Sequence, residues 1–187
     1  MDRIVVGICG ASGVIIGLRL VEKIAMQGIH VDLIASEAAE RTAHEECGKI
    51  CFPERIGHLI HRYAIEDIAS PMASGTYRHR GMVVVPCSMA TLAAMAAGLC
   101  DNLLRRAADV TIKEGRKLII VPREMPFSPL HLQNMVRLSQ LGCVIMPPQP
   151  AWYTKPKTIE DVEMYIVDRL LDRLGLASNL QEWGPRD

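Results

Sequence analysis

Between Asp101 and Met135 the chain reads DNLLRRAADVTIKEGRKLIIVPREMPFSPLHLQNM, an unusual density of charge in an otherwise apolar protein. In a helix, Arg106, Asp109 and Lys113 fall at i, i+3 and i+7 and share one face. The run from Lys117 to Val121 reads as a strand that ends at Pro122-Arg123-Glu124. Charges are rarely buried unless paired or used. Cations and a carboxylate delivered to the tip of a core strand are therefore candidates for binding an anion and moving a proton. A solvated helix face laced with ion pairs has the same spacing, and spacing alone favours that plainer reading.

A second set of candidates lies where glycine and serine punctuate the chain. Gly7, Gly10 and Gly13 give G-x-x-G-x-x-G after the first apolar run, a departure from the dinucleotide fingerprint G-x-G-x-x-G. The next run ends in Ser36, with no acidic residue at its tip to hold an adenine ribose, although Glu37 is adjacent. Both features count against NAD and favour a mononucleotide. Gly10-Ala11-Ser12 at a helix start offers backbone N–H groups and a hydroxyl to an anion. Ser12 acting simply as the N-cap of that helix fits the residues at least as well. Ser88-Met89-Ala90-Thr91 repeats the arrangement: Ser88 caps a helix rich in Ala and Met, whose small side chains let a planar ring approach the backbone.

The elements that must position these residues alternate along the chain. Ile4–Cys9, Val31–Ala35, Met82–Val85, Leu118–Val121 and Cys143–Met146 are short apolar runs. Helical patterns follow, from about Val14 to Gln27 and from Glu37 onward. Strands apolar throughout, alternating with helices, imply a parallel sheet covered on both faces. The expected fold is a single-domain α/β sandwich of three layers, doubly wound and Rossmann-like or flavodoxin-like, with ligands at the carboxyl ends of its strands. Cys51 to Arg80 is the least legible stretch. Its His58, His61, Arg62, His79 and Arg80 lack a metal-ligand pattern and suit surface or subunit contacts.

Composition narrows the partners. At 187 residues, 49% hydrophobic with formal net charge zero, the chain is large enough to bury a proper core and has no general basic surface. Nucleic acid and anionic membrane are poor candidate partners, and near-zero charge is compatible with an oligomer. No apolar run approaches the length of a membrane span, and MDRIVVGICG moves straight into a strand without a signal peptide's apolar region. A cytoplasmic protein is expected. Of the six cysteines only Cys47 and Cys51 are close, and no second pair completes a metal site. Cys9, Cys87 and Cys143 read as small apolar strand residues in a reduced protein.

The chain resembles the UbiX family of flavin prenyltransferases, once described as the small subunit of aromatic acid decarboxylases. The resemblance rests on Gly10-Ala11-Ser12-Gly13, Ser36, Pro86-Cys87-Ser88-Met89-Ala90-Thr91, Arg106-Ala107-Ala108-Asp109-Val110, Lys113-Glu114, Val121-Pro122-Arg123-Glu124, His131-Leu132 and Ala151-Trp152-Tyr153. These keep the family's order and spacing over nearly the whole chain. The resemblance implies transfer of a dimethylallyl group from dimethylallyl phosphate to N5 and C6 of reduced FMN, without a metal. It also implies a dodecamer with active sites shared between subunits, the C-terminal segment from about 158 to 187 packing on a neighbour, and a UbiD-type decarboxylase as recipient of the prenylated FMN.

By the same resemblance Gly10, Ala11, Ser12, Ser36, Ser88, Met89, Ala90, Thr91 and Arg123 contact FMN. Lys113, Tyr153 and Arg169 grip the substrate phosphate, and Arg106 matches another site arginine. Glu46 and Glu124 match site carboxylates. An apolar pocket at the strand end would raise the pKa of Glu124 and fit it to proton transfer, while Ser12 helps relay a proton near flavin N5. Glu45 takes the place of Glu46 if the alignment slips by one residue. Trp183 matches a tryptophan that lines the prenyl pocket, where a π face stabilises a cation. Each has a plainer reading. Arg169, near the stripe of Val162, Ile166 and Leu170, suits a snorkelling rim arginine, Tyr153 a core aromatic with a satisfied hydroxyl, and Trp183 a helix-docking anchor.

Departures from the family pattern are Cys9 for Ser or Thr, Trp152 for Phe, Gln133 for Glu, and a short tail that needs a gap near Trp183. Two alternatives stand beside the prenyltransferase. One is an FMN-dependent decarboxylase of the aromatic acid or phosphopantothenoylcysteine type; the latter relies on a histidine near the first helix, where only His44 is available. The other is a non-catalytic FMN carrier, which needs no second phosphate site.

Overall fold

Residues whose side chains are apolar on both faces of the backbone form the middle of the sheet in a computed structural model that describes residues 2–48 and 58–180. The elements in order are β1 (Arg3–Ile8), α1 (Val14–Met26), β2 (His30–Ala35), α2 (Glu37–Cys47), β3 (Ile60–Tyr63), β4 (Gly81–Cys87), α3 (Met89–Ala97), α4 (Leu103–Lys113), β5 (Lys117–Pro122), α5 (Pro129–Gln140), β6 (Val144–Ile145) and α6 (Ile159–Leu174). Single helical turns at Pro71–Ala73 and Trp152–Thr154 interrupt the loops before β4 and α6. All neighbouring strands pair in parallel, in the order β3-β2-β1-β4-β5-β6. That is the Rossmann order, in which the direction of winding reverses between β1 and β4.

Strand alternation sorts the core into two halves. Ile4, Val6 and Ile8 of β1 face α1, α2 and α6, with Leu20, Ile24, Val167 and Leu170. Val5 and Cys9 face the other way, onto α3, α4 and α5, with Leu92, Leu104 and Leu138. Gly7 lies on this second face because a Cβ there would meet Leu104 at 3.0 Å.

Of the two edge strands, β3 escapes a reading by apolar runs and β6 is shorter than its run. β3 buries only Ile60 of its four residues, and β6 is two half-buried residues where a run from Cys143 to Met146 was expected. Both are edge strands, whose environment does not demand apolar residues on both faces. The charged residues around β3 are spent locally: Arg62 pairs with Glu40, His61 meets the Tyr63 ring at 4.3 Å, His79 Nδ1 lies 3.1 Å from the Gly81 carbonyl, and Arg80 pairs with Asp2 at 3.1 Å.

The carboxylate of Asp32 is held inside the fold. Asp32 of β2, 3% exposed, accepts a hydrogen bond from Tyr77 at 3.0 Å and lies 3.7 Å from Arg3. Burial raises its pKa from 3.8 to about 6, and the Arg3 charge only partly opposes this.

Candidate active site

The reversal of winding opens a crevice beyond the carboxyl ends of β1 and β4, and the candidate flavin-binding residues line up across it. The Ser36 N–H donates to the Ile8 carbonyl at 3.1 Å, Cys9 N–H to the Pro86 carbonyl at 3.1 Å, and Arg123 N–H to the Cys87 carbonyl at 3.1 Å. Ser36, Gly10 to Ser12, Ser88 to Thr91, and Arg123 thus sit side by side on β2, β1, β4 and β5, four adjacent strand ends. Strand pairing positions them, because each follows directly on the last paired residues of its strand.

Glycine is required at the centre of this row. A Cβ on Gly10 would stand 2.4 Å from the Ala38 Cβ and 2.7 Å from the Ala38 carbonyl carbon. The first turn of α2 therefore lies directly against the loop after β1. Ser36 caps that turn, accepting from the Ala39 N–H at 3.1 Å. Gly13, at φ 92, is the N-cap of α1, and no side chain of its own sequence caps the helix. The plain N-cap role considered for Ser12 is thus overturned. The cap comes from α2: the Glu46 carboxylate accepts from the Gly13 N–H at 3.0 Å and the Val14 N–H at 3.3 Å. A negative charge at a helix N-terminus is favoured by the helix dipole. Glu45 instead faces His44, at 4.0 Å, and both are exposed.

At the end of β4, Ser88 caps α3 by accepting the Thr91 N–H at 3.3 Å, and donates its own proton to Thr91 Oγ1 at 3.1 Å. The Cys9 thiol donates to the same oxygen at 3.4 Å. Cys9 and Cys87 are thus more than small apolar fillers. The Cys87 thiol lowers the Cys9 pKa to about 7 against the opposing effect of burial, while burial pushes Cys87 well up. This buried polar cluster supports Ser88 and Thr91 from below. Composition gave no signal for it; the only hint was Cys9 at a position where a hydroxyl residue is common.

The charged candidates divide into two places. Arg123 and Glu124 are exposed at the β5 end, and the Glu124 carboxylate accepts the Met125 N–H at 3.0 Å. The apolar pocket expected around Glu124 is not formed by this chain alone. Lys113 lies elsewhere. It follows α4 down to the amino ends of the strands, where Arg116 donates to the carbonyls of Tyr77 and Gly75 at 2.8 and 2.6 Å and Lys117 pairs with Gly81. β5, 6 residues long, separates that end from the crevice by about 20 Å. Lys113 donates to Glu114 at 2.6 Å, and Gly75 leaves the room, since a Cβ there would meet Glu114 Oε1 at 2.2 Å. Arg106 bonds to Asp109 at 2.9 Å and to the Ala73 carbonyl at 3.1 Å. The α4 face is therefore laced with ion pairs, as the plainer reading has it: Arg106 is taken up by Asp109 and the Ala73 carbonyl, and Lys113 does not reach the crevice of its own chain.

Tyr153 and Arg169 form a third place. Tyr153, 55% exposed, is not a core aromatic; its hydroxyl lies 3.0 Å from that of Tyr165 in α6. Arg169 stands one turn beyond Tyr165, exposed beside buried Ile166 and Leu170, with Asp172 at 3.9 Å. Trp183 lies outside the described residues. Among the described residues no three His, Cys, Asp or Glu side chains group so as to hold a metal ion.

The crevice offers what a flavin needs: backbone N–H groups, two capped helix starts, small residues and an arginine. The exposed cations and hydroxyls suit a phosphate. Residues 1–171 match the model of the Flavoprotein family. The flavin prenyltransferase UbiX of Chlamydia trachomatis serovar D is 46% identical over 184 residues, covering 96% of each chain. AnUbiX (PadA1), solved in complex with FMN and dimethylallyl pyrophosphate, superposes with a TM-score of 0.92 at 39% identity, over 100% of this chain and 99% of that one. A dodecameric FMN-dependent UbiX-like decarboxylase from Escherichia coli O157:H7 superposes with a TM-score of 0.90 at 39% identity, over 98% and 100%.

Proposed function

The chain belongs to the UbiX family of flavin prenyltransferases, within the wider Flavoprotein family, and from that premise we propose that it joins the dimethylallyl group of dimethylallyl phosphate to N5 and C6 of reduced FMN. The observation that carries the reading is the row of Ser36, Gly10 to Ser12, Ser88 to Thr91 and Arg123 on four adjacent strand ends. In this reading the row holds FMN, which supplies the nucleophilic ring atoms. Gly10 and the small residues Ala11 and Ala90 admit the flat ring, with Met89 beside it, and the N–H groups and hydroxyls of Ser36, Ser88 and Thr91 hold its polar edges and phosphate. Ser12 and Glu124 carry protons near the reacting atoms, and Glu46 keeps α1 and the Ser12 loop in place.

The leaving phosphate needs positive charge and donors. Tyr153 and Arg169 supply them from one chain. Lys113 is held at the far end of its own chain's sheet and Arg106 is tied to Asp109 and the Ala73 carbonyl, so we place both in the crevice of a neighbouring copy. The active unit is then an oligomer, a dodecamer by family likeness, with each site shared. Exposed apolar side chains on α5, Leu132 at 50% and Val136 at 56%, suit such contacts. The whole chain is one domain, whose α6 outer face meets the neighbour. The fixed cations make a metal unnecessary for holding the phosphate. The product passes to a UbiD-type decarboxylase, in the cytoplasm; no described helix is long and apolar enough to cross a membrane.

A stoichiometry tests this. The protein, given dimethylallyl phosphate and reduced FMN without air or added metal, releases one phosphate per flavin consumed and none with oxidised FMN. Release independent of the flavin's redox state would refute the flavin as acceptor.

A further inference from the structure

We infer that Tyr165 is a positioning residue for the substrate phosphate, acting through Tyr153; this rests on the reading above that Tyr153 and Arg169 grip that phosphate. The two tyrosine oxygens are 3.0 Å apart, and the rings meet edge to face at 6.3 Å and 89°. The partners differ in anchorage. The Tyr165 ring packs half-buried against the core on a regular helix, whereas Tyr153 rides on a single helical turn and is 55% exposed. The hydroxyl packed on the core helix thus orients the exposed one.

Direction follows from proton counting. Each tyrosine hydroxyl has one proton to donate. When Tyr153 donates its proton to a phosphate oxygen, its oxygen can still accept, and the Tyr165 hydroxyl is a donor within reach. A tyrosine keeps its proton at neutral pH in any case, and the hydrogen bond to Tyr153 shifts the Tyr165 pKa further up. Arg169, at i+4 on the same helix face, is close enough for its charge to act on the Tyr165 hydroxyl. The Tyr165–Tyr153 chain therefore presents an ordered donor beside a cation, and a phosphate arriving there finds the geometry already set.

The test uses the intact oligomer with reduced FMN and varied dimethylallyl phosphate, comparing Tyr165→Phe, Tyr153→Phe and the double variant. The Phe ring keeps the packing of Tyr165, so thermal stability and FMN affinity should stay near wild type. Tyr165→Phe should raise KM for dimethylallyl phosphate about tenfold with kcat little changed, the loss of one ordered hydrogen bond. The double variant should be no worse than Tyr153→Phe alone, because the relay is already cut. Independent, multiplying losses, or an unchanged KM in Tyr165→Phe while Tyr153→Phe is impaired, would overturn the role of Tyr165 and leave the phosphate reading intact. An unchanged KM in Tyr153→Phe would overturn both.

Discussion

Gly10→Ala is the substitution whose outcome the geometry specifies most tightly. The added Cβ would lie 2.4 Å from the Ala38 Cβ, 2.7 Å from its carbonyl carbon and 2.9 Å from its carbonyl oxygen. Ordinary carbon contacts are about 3.5–4.0 Å, so the first turn of α2 must retreat by about 1 Å. Two of the three atoms are backbone, and no rotamer change relieves them. The retreat carries Ser36, which caps α2 beside the β1 tip, and strains the Glu46 contact to Gly13 at the other end of the helix. Overpacking of this kind costs about 1–3 kcal/mol of stability. The displaced N–H groups and hydroxyl belong to the flavin row, so FMN affinity should weaken about tenfold or more, about 1.4 kcal/mol. Urea unfolding and titration of flavin fluorescence read the two effects separately. Adding Ala38→Gly removes the 2.4 Å contact but leaves the two backbone contacts, so rescue should be partial. A Gly10→Ala protein with wild-type stability and wild-type FMN affinity would refute the close approach of α2 as part of the site.

Other perturbations follow from the same contacts. Lys113→Ala should keep FMN affinity and lose transfer, and Ser12→Ala should also lose transfer; a reassembled equal mixture of the two should recover about a quarter of the sites, because each site then draws its Ser12 and its Lys113 from different copies. No recovery in a verified mixed oligomer would argue against sharing. Asp32 has its folded pKa raised to about 6 from 3.8, so its contribution is fully present below pH 4 and is lost as pH rises through about 6. Unfolding midpoints should show this as a fall on the order of 3 kcal/mol between those limits, absent in Asp32→Asn. Ser88→Ala removes the α3 cap and should lower stability by about 1 kcal/mol in thermal unfolding, together with weaker FMN binding.

How much was legible in the sequence depended on burial. β1, β2, β4 and β5 are buried on both faces, and such strands announce themselves as continuous apolar runs. β6, at one edge, still showed as the short run from Cys143 to Met146 but pairs over only two residues, whereas β3, at the other edge, left no such trace. The residues of the flavin row were readable because a strand end, a small residue and a capping serine are local features. Where Lys113 stands was not: its helix spacing with Arg106 says which face it shares, yet only the register of Lys117 with Gly81 shows that this face ends at the wrong end of the sheet for its own crevice. Glu46 could not be told from Glu45 until α2 was seen to cross the start of α1. The link between Tyr153 and Tyr165 depends on how the last loop folds back, and nothing in a 12-residue separation announces it. Cys9, Cys87 and Cys143 are buried in the core as expected, but the hydrogen bonding of Cys9 was not legible, since a thiol's role depends on a neighbour that only strand pairing brings near.

The most direct test of the central claim is the mass of the flavin after anaerobic incubation of the protein with reduced FMN and dimethylallyl phosphate, without added metal. A flavin heavier by one five-carbon prenyl unit is the expected result. Unmodified FMN, recovered from an intact oligomer shown to have bound it, would contradict the account.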